Sequence, residues 1–194
     1  MRGYGMHHTF STISLRNQRR CNLPTDRSVN FVNYVIKEVT DDRGKGFGAK
    51  LRKADNENTE YQSWEILSRW VNLEWESDRK AFALIGASIA RVKPVADGKL
   101  SIGEALRMVH LKDKDIGDLE KSSSALRLRR ILACKEKDEL MDILKPVVRY
   151  VESSGLLLQQ ARLLDEILWF NNDESRERTR AKWARDFFRK KEES

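Results

Sequence analysis

Two cysteines, three histidines and three prolines in 194 residues leave little material for several kinds of function. Cys21 and Cys134 lie far apart and match no metal or redox spacing. A reducing, cytoplasmic setting accounts for them. His7 and His8 fall in a basic tail with no cysteine or acidic cluster beside them, so no metal site is indicated. A nucleophile activated by a base would have to depend on His110 alone. No cofactor is expected, and the chain is not expected to be an enzyme. Gly44, Gly46 and Gly48 alternate, but they lack the Gly-Lys-Ser/Thr ending and preceding strand of a phosphate loop. The longest apolar run, Ala81 to Ala90, contains Gly86 and Ser88 and falls well short of a membrane span.

Charge is what the chain has in abundance. Charged residues make up 35% of it, and the net charge is +7. Such a balance favours polyanionic partners. The charge comes in blocks: +7 over residues 1–53, −5 over 54–76, +6 over 77–135, −5 over 136–174 and +4 over 175–194. Separate basic faces with acidic ones between them fit this pattern better than a uniform cationic coat. Residues 1–25 carry four arginines and no acid. They resemble a transit peptide superficially and have no hydrophobic core, so residues 1–28 read as a disordered basic extension or a start-site artefact.

Beyond residue 28 the periodicity is helical and strand-like alternation is absent. The expected fold is all-α, with eight or nine helices in two small packed bundles and no sheet. A helix is expected over 29–41, with Phe31, Val35 and Val39 on its inner face. A short helix through Ala54 follows, then a helix over 60–75 with Trp64, Leu67, Trp70, Val71 and Trp75 as a core stripe. The next helix, 78–91, has Ser77 or Asp78 as cap and small residues Ala83, Gly86, Ala87 and Ala90 for close packing. The loop around Lys93-Pro94 and Ala96-Asp97-Gly98 divides an N-terminal half, 29–96, from a C-terminal half, 97–194. Ser101-Ile102-Gly103-Glu104 fits a capping box. Ser122–Ser124 can cap a helix over 124–134. A helix over 136–152 should kink or break at Pro146. A helix over 156–170 buries Leu157, Ala161, Leu164, Ile167 and Leu168. The last helix, 174–190, is capped by Asp173 and turns Trp183, Phe187 and Phe188 inward.

Three basic elements stand out. The first runs from Asp41 to Lys53, with five cations in the eleven residues from Arg43. Cations on a short glycine-hinged turn can approach a phosphate backbone closely. The second is Arg127, Arg129 and Arg130, and the third is the arginine-rich outer face of the last helix. Together they could line one groove, whereas singly each reads as a solvated face.

Five short motifs, taken in order, resemble the CasB family, the small subunit of the type I-E CRISPR effector complex (Cascade). They are Ala49-Lys50-Leu51-Arg52-Lys53, Asp78-Arg79-Lys80 after Trp75, Ile102-Gly103-Glu104-Ala105-Leu106, the segment Arg127 to Cys134, and Trp183-Ala184-Arg185-Asp186-Phe187. The resemblance covers about residues 29–190. Lys53 stands where a second arginine is usual, Cys134 where alanine is common, and Pro146 within a usually continuous helix.

The resemblance implies a non-catalytic, all-helical subunit. It implies two copies head to tail, contacts with other Cascade subunits and guide RNA, and backbone contacts to target DNA and the displaced strand. These stabilise the R-loop, and recruitment of the nuclease-helicase follows indirectly. Arg52, Lys53, Arg79 and Arg127 are expected at the nucleic acid on motif matches. Arg130 joins them from the basic helix, and Lys145, Arg178 and Arg180 from helix position. Two other readings remain open: a stand-alone helical DNA-binding regulator, and a structural adaptor between proteins.

Overall fold

The computed structural model describes residues 23–41, 45–112 and 118–189. They form nine α-helices: α1 (Asp26–Thr40), α2 (Lys45–Arg52), α3 (Trp64–Leu67), α4 (Glu76–Val92), α5 (Ile102–Lys112), α6 (Ser123–Ala133), α7 (Lys137–Ser153), α8 (Gln160–Leu168) and α9 (Asp173–Phe188). Short 3-10 turns occupy Glu60–Ser63 and Leu119–Lys121. The described residues contain no sheet, only a single parallel bridge between Leu100 and Leu158. His7, His8, Cys21, Arg43 and Lys190 lie outside them.

The central element is α4. Every residue from Ala81 to Ala90 is buried, as expected of a helix that is apolar all round. It packs against α1, α2, α7 and α8. Its small residues allow this: a Cβ at Gly86 would meet Leu51 at 3.1 Å. Phe31 meets Phe82 edge-on at 4.8 Å in the same layer. The C-terminal helices assemble around α5, which packs on α6 and α9. Apolar side chains from both halves join one continuous core.

Local chemistry explains most helix ends. Ser101 and Glu104 form the expected reciprocal cap: Ser101 N–H donates to Glu104 Oε2 at 2.9 Å, and Glu104 N–H to Ser101 Oγ at 3.2 Å. Ser122 caps α6 through Ala125 N–H. Elsewhere the structure moves the boundary. The first helix begins at Asp26, not residue 29, because Thr25 caps it and Asp165 of α8 accepts from Thr25 Oγ1 (2.8 Å) and Ser28 Oγ (2.6 Å). That partner lies 140 residues from Thr25 and leaves no local signature. Asn172, not Asp173, caps α9. Neither Ser77 nor Asp78 caps α4, which begins at Glu76. Pro146 does not divide α7, which runs as one element through it.

The largest correction concerns residues 60–75. They form a 3-10 turn, one short α-turn and a bend rather than a continuous helix. Tertiary donors capture the carbonyls that a helix would have used. Arg27 donates to Trp70 O from Nε at 3.0 Å, and Arg79 donates to Leu73 O. Asn72 Oδ1 accepts from Glu74 N–H at 3.0 Å, closing an Asx turn. The aromatic stripe therefore splits. Leu67 and Val71 are buried and Trp70 is half-buried, whereas Trp64 and Trp75 face outward. Leu157 and Phe188 are likewise exposed, while Trp183 and Phe187 are fully buried as expected.

The loop between α4 and α5 is tied to the chain before α8. A Cβ at Gly98 would overlap the Leu157 and Leu158 carbonyl oxygens. Asp97 then caps α8 from a distance, accepting from Gln160 N–H at 2.7 Å and Ala161 N–H at 3.2 Å. Burial pushes the Asp97 carboxyl above its usual range, against the opposing pull of those N–H groups and Gly98. A carboxyl raised in the folded state contributes most below its unfolded pKa and loses that contribution as pH rises through the folded value. At neutral pH its charge therefore costs stability while its oxygens cap the helix. Asp97→Asn, which keeps one of the two acceptor oxygens, should lose less stability at pH 7 than Asp97→Ala, which should lose about 1–2 kcal/mol. Denaturant melts would decide; equal losses in both variants would contradict this account.

Candidate nucleic-acid interface

The basic element resolves into a helix from Lys45 onward. Gly48 and Leu51 of α2 face the protein interior, and Leu51 is fully buried. The same helical phase leaves Arg52 and Lys53 exposed at its end. Arg52 lies beside the end of α4, donating to Ala90 O at a long 3.4 Å. Lys53 Nζ donates to Gln62 Oε1 at 3.0 Å. Among the described residues neither forms an ion pair.

A buried carboxylate organises the surroundings. Asp55, whose side chain is 3% exposed, accepts from Arg91 at 2.9 Å and from Arg149 at 3.0 Å through one oxygen. Arg91 also grips Glu152 with two nitrogens, at 2.8 and 3.1 Å. Burial alone would lower the Arg91 pKa, but Glu152 and Asp55 reverse this and raise it. The network pins the 54–60 connector to α4 and α7. Arg149 meets Asp55, and Lys145, one turn earlier on α7, lines the same cavity as Asp55 and Glu57, so both lie beside this connector. The cavity, of about 50 Å³, is lined by four acids, Asp55, Glu57, Glu60 and Asp142, together with Lys80 and Lys145. Arg52 and Lys53 at the end of α2 and Lys145 and Arg149 on α7 are the cations on the elements around it. Sequence pattern did not single out Arg149; its place four residues after Lys145 is the signal that points to it.

Arg79 lies at the edge of this region, turned inward. Its side chain is only 12% exposed. It pairs with Glu60 at 3.0 Å, donates to Leu73 O, and lies 5.2 Å from the centre of the Trp64 ring. Its guanidinium is committed to holding residues 60–75 against α4.

A second group lies at the junction of α6 and α7. Burial pushes the Cys134 thiol above its usual range, with Glu139 adding to the rise, while the charges of Arg180 and Arg130 oppose it. Arg130 of α6 and Arg180 of α9 lie on helices that pack on each other. Arg130 is exposed and forms no ion pair among the described residues. Arg180 pairs with Glu177 at 2.7 Å. Arg127, one turn earlier on α6, rests 4.0 Å above the Tyr150 ring and donates to Ser123 O. Arg178 pairs with Glu174 and points about 200° away from Arg180 around the helix, so the two do not share a face.

These features define, over the described residues, an all-helical fold that exposes both cations and acids. Among the described residues no group of three or more His, Cys, Asp or Glu could hold a metal, and no helix is long and apolar enough to cross a membrane. The chain belongs to the CRISPR-associated Cse2 family, also known as CasB: the family's sequence profile matches residues 48–188. Membership supports a general role in CRISPR surveillance.

No curated protein sequence matches the chain. Solved structures do share its fold. The Cse2-family protein of Thermus thermophilus is 18% identical, with a TM-score of 0.61, covering 83% of this chain and 97% of its own. CasB of Thermobifida fusca is 17% identical, with a TM-score of 0.61 and coverage of 85% and 99%. A chain of a CRISPR RNA-guided surveillance complex is 16% identical, with a TM-score of 0.66 and coverage of 84% and 92%.

Proposed function

We propose that this protein is the non-catalytic small subunit of a CRISPR RNA-guided surveillance complex in the cytoplasm. In this reading it holds the target strand and the displaced strand by their phosphates and so stabilises the R-loop. Its partners are the other complex subunits, the guide RNA, the target DNA and a second copy of itself. The nuclease-helicase joins through the R-loop rather than by direct contact.

The observation that carries the reading, beside family membership, is that Arg52 and Lys53 are exposed and form no ion pair among the described residues. Exchange of a DNA duplex for an RNA–DNA hybrid is nearly balanced in free energy. A few phosphate contacts are therefore enough to tip it. The groups need read no bases, because the guide supplies sequence, and the exposed side chains here are long cations suited to phosphates. Arg127, Arg130 and Arg180 supply a second stretch of backbone contact, and Arg178, on the other face of α9, a separate one. Arg79 acts beneath the surface, as the support of the connector.

The test is recovery of the tagged protein from its native host, with bound RNA sequenced and bound proteins identified. Repeat-derived guide RNAs and several other subunits should copurify. Recovery of the protein alone, or with unrelated DNA, would refute the assignment.

A further inference from the structure

The segment that failed to become a helix exposes three large aromatic rings. Tyr61 is 61% exposed, Trp75 62% and Trp64 37%. Arg79 braces the chain that carries them. Its guanidinium binds Glu60, beside Tyr61, and covers one face of Trp64, while its backbone N–H donates to the Trp75 carbonyl at 2.9 Å. Tryptophan and tyrosine on a braced surface are the side chains that dominate protein interfaces.

The charge around the rings decides what can cover them. Residues 54–76 carry six acids and one arginine, in a chain of net charge +7. Glu74 and Glu76 flank Trp75 directly, and both are exposed. Lys50 and Lys80 offset part of this charge, at Glu65 and Glu76. A nucleic acid stacked on Trp75 would have to bring its phosphates against Glu74 and Glu76. A protein surface with an apolar pocket rimmed by lysine or arginine meets no such cost.

We infer that Tyr61, Trp64 and Trp75, with Glu74 and Glu76, form a protein-docking surface for a cationic, apolar-centred face of another subunit, separate from the phosphate-binding groups. This rests on the function proposed above. The division of labour is that the cations outside the 54–76 segment face nucleic acid while the acidic, aromatic segment seats the protein in its assembly.

The experiment uses the guide-RNA complex assembled from its other subunits without this chain and immobilised through the RNA. Tyr61→Ser with Trp75→Ser should weaken incorporation on the order of tenfold or more. Its binding to a single-stranded DNA of about 20 nucleotides, the length of a guide-paired target, should be unchanged. Trp64 is left intact because Arg79 packs on it, and an unchanged melting midpoint is expected because both substituted rings are exposed. Glu74→Lys with Glu76→Lys should also weaken incorporation and flatten its salt dependence. Wild-type incorporation of the aromatic variant would overturn the inference. So would loss of oligonucleotide binding with incorporation retained, which would make the rings a base-stacking platform. If the parent protein binds no oligonucleotide, the phosphate-binding proposal fails while incorporation still decides this one.

Discussion

Gly103→Ala should destabilise the protein by about 3 kcal/mol, although alanine is the better helix former by roughly 1 kcal/mol. The loss arises where α5 meets α9. A Cβ at Gly103 would overlap the Trp183 carbonyl oxygen and lie 3.0 Å from its carbon. Both atoms belong to helix backbone, so no side chain can rotate away. The contact is also pinned from its flanks. Ser101 Oγ donates to Asp186 at 2.7 Å, and the fully buried Trp183 donates from its indole to Glu166 at 2.8 Å. Separating the helices by one methyl group disturbs all of these together. Urea denaturation would measure the change. A loss under about 0.5 kcal/mol, small beside the usual cost of overpacking, would mean that the helices slide apart freely and that the close approach is not required.

The second large effect concerns binding. Arg52→Ala with Lys53→Ala should reduce affinity for single-stranded DNA about tenfold at physiological salt and lower the salt slope by about 1.4, the value for two phosphates. Stability should change by less than about 1 kcal/mol. Within the protein Arg52 makes one long hydrogen bond to Ala90 O, and Lys53 makes one exposed bond to Gln62. Each is worth little in water. The measurement is affinity across a salt series beside a thermal melt. Unchanged slope and affinity would remove Arg52 and Lys53 from the interface. A large drop in melting temperature would show that they serve the fold instead.

The contrast between Arg52 and Arg79 explains why the interface was only partly legible in the sequence. Both arginines belong to motifs resembling the family, and local pattern does not distinguish them. One ends a short helix at the surface. The other meets Glu60, Leu73 and Trp64 and is buried by them. Arg149 shows the same limit in reverse: its place beside the 54–60 connector depends on Asp55, 94 residues away.

Periodicity and capping chemistry were enough for the helical class, the close packing at the small residues Ala83, Gly86, Ala87 and Ala90, the Ser101–Glu104 capping box and the inward turn of Trp183. Each of these rests on neighbours within one or two turns of chain, where composition and spacing act directly. The all-α architecture follows from them. The bend at 68–75, the exposure of Trp64 and Trp75, the early start of α1 and the gathering of cations around Asp55 belong to the other kind. In each, a donor or acceptor far away in the chain captures a backbone or side-chain group that local pattern would have used otherwise. Such partners exist only once the helices have packed, so tertiary structure alone decides which aromatic faces water and which arginine is left exposed.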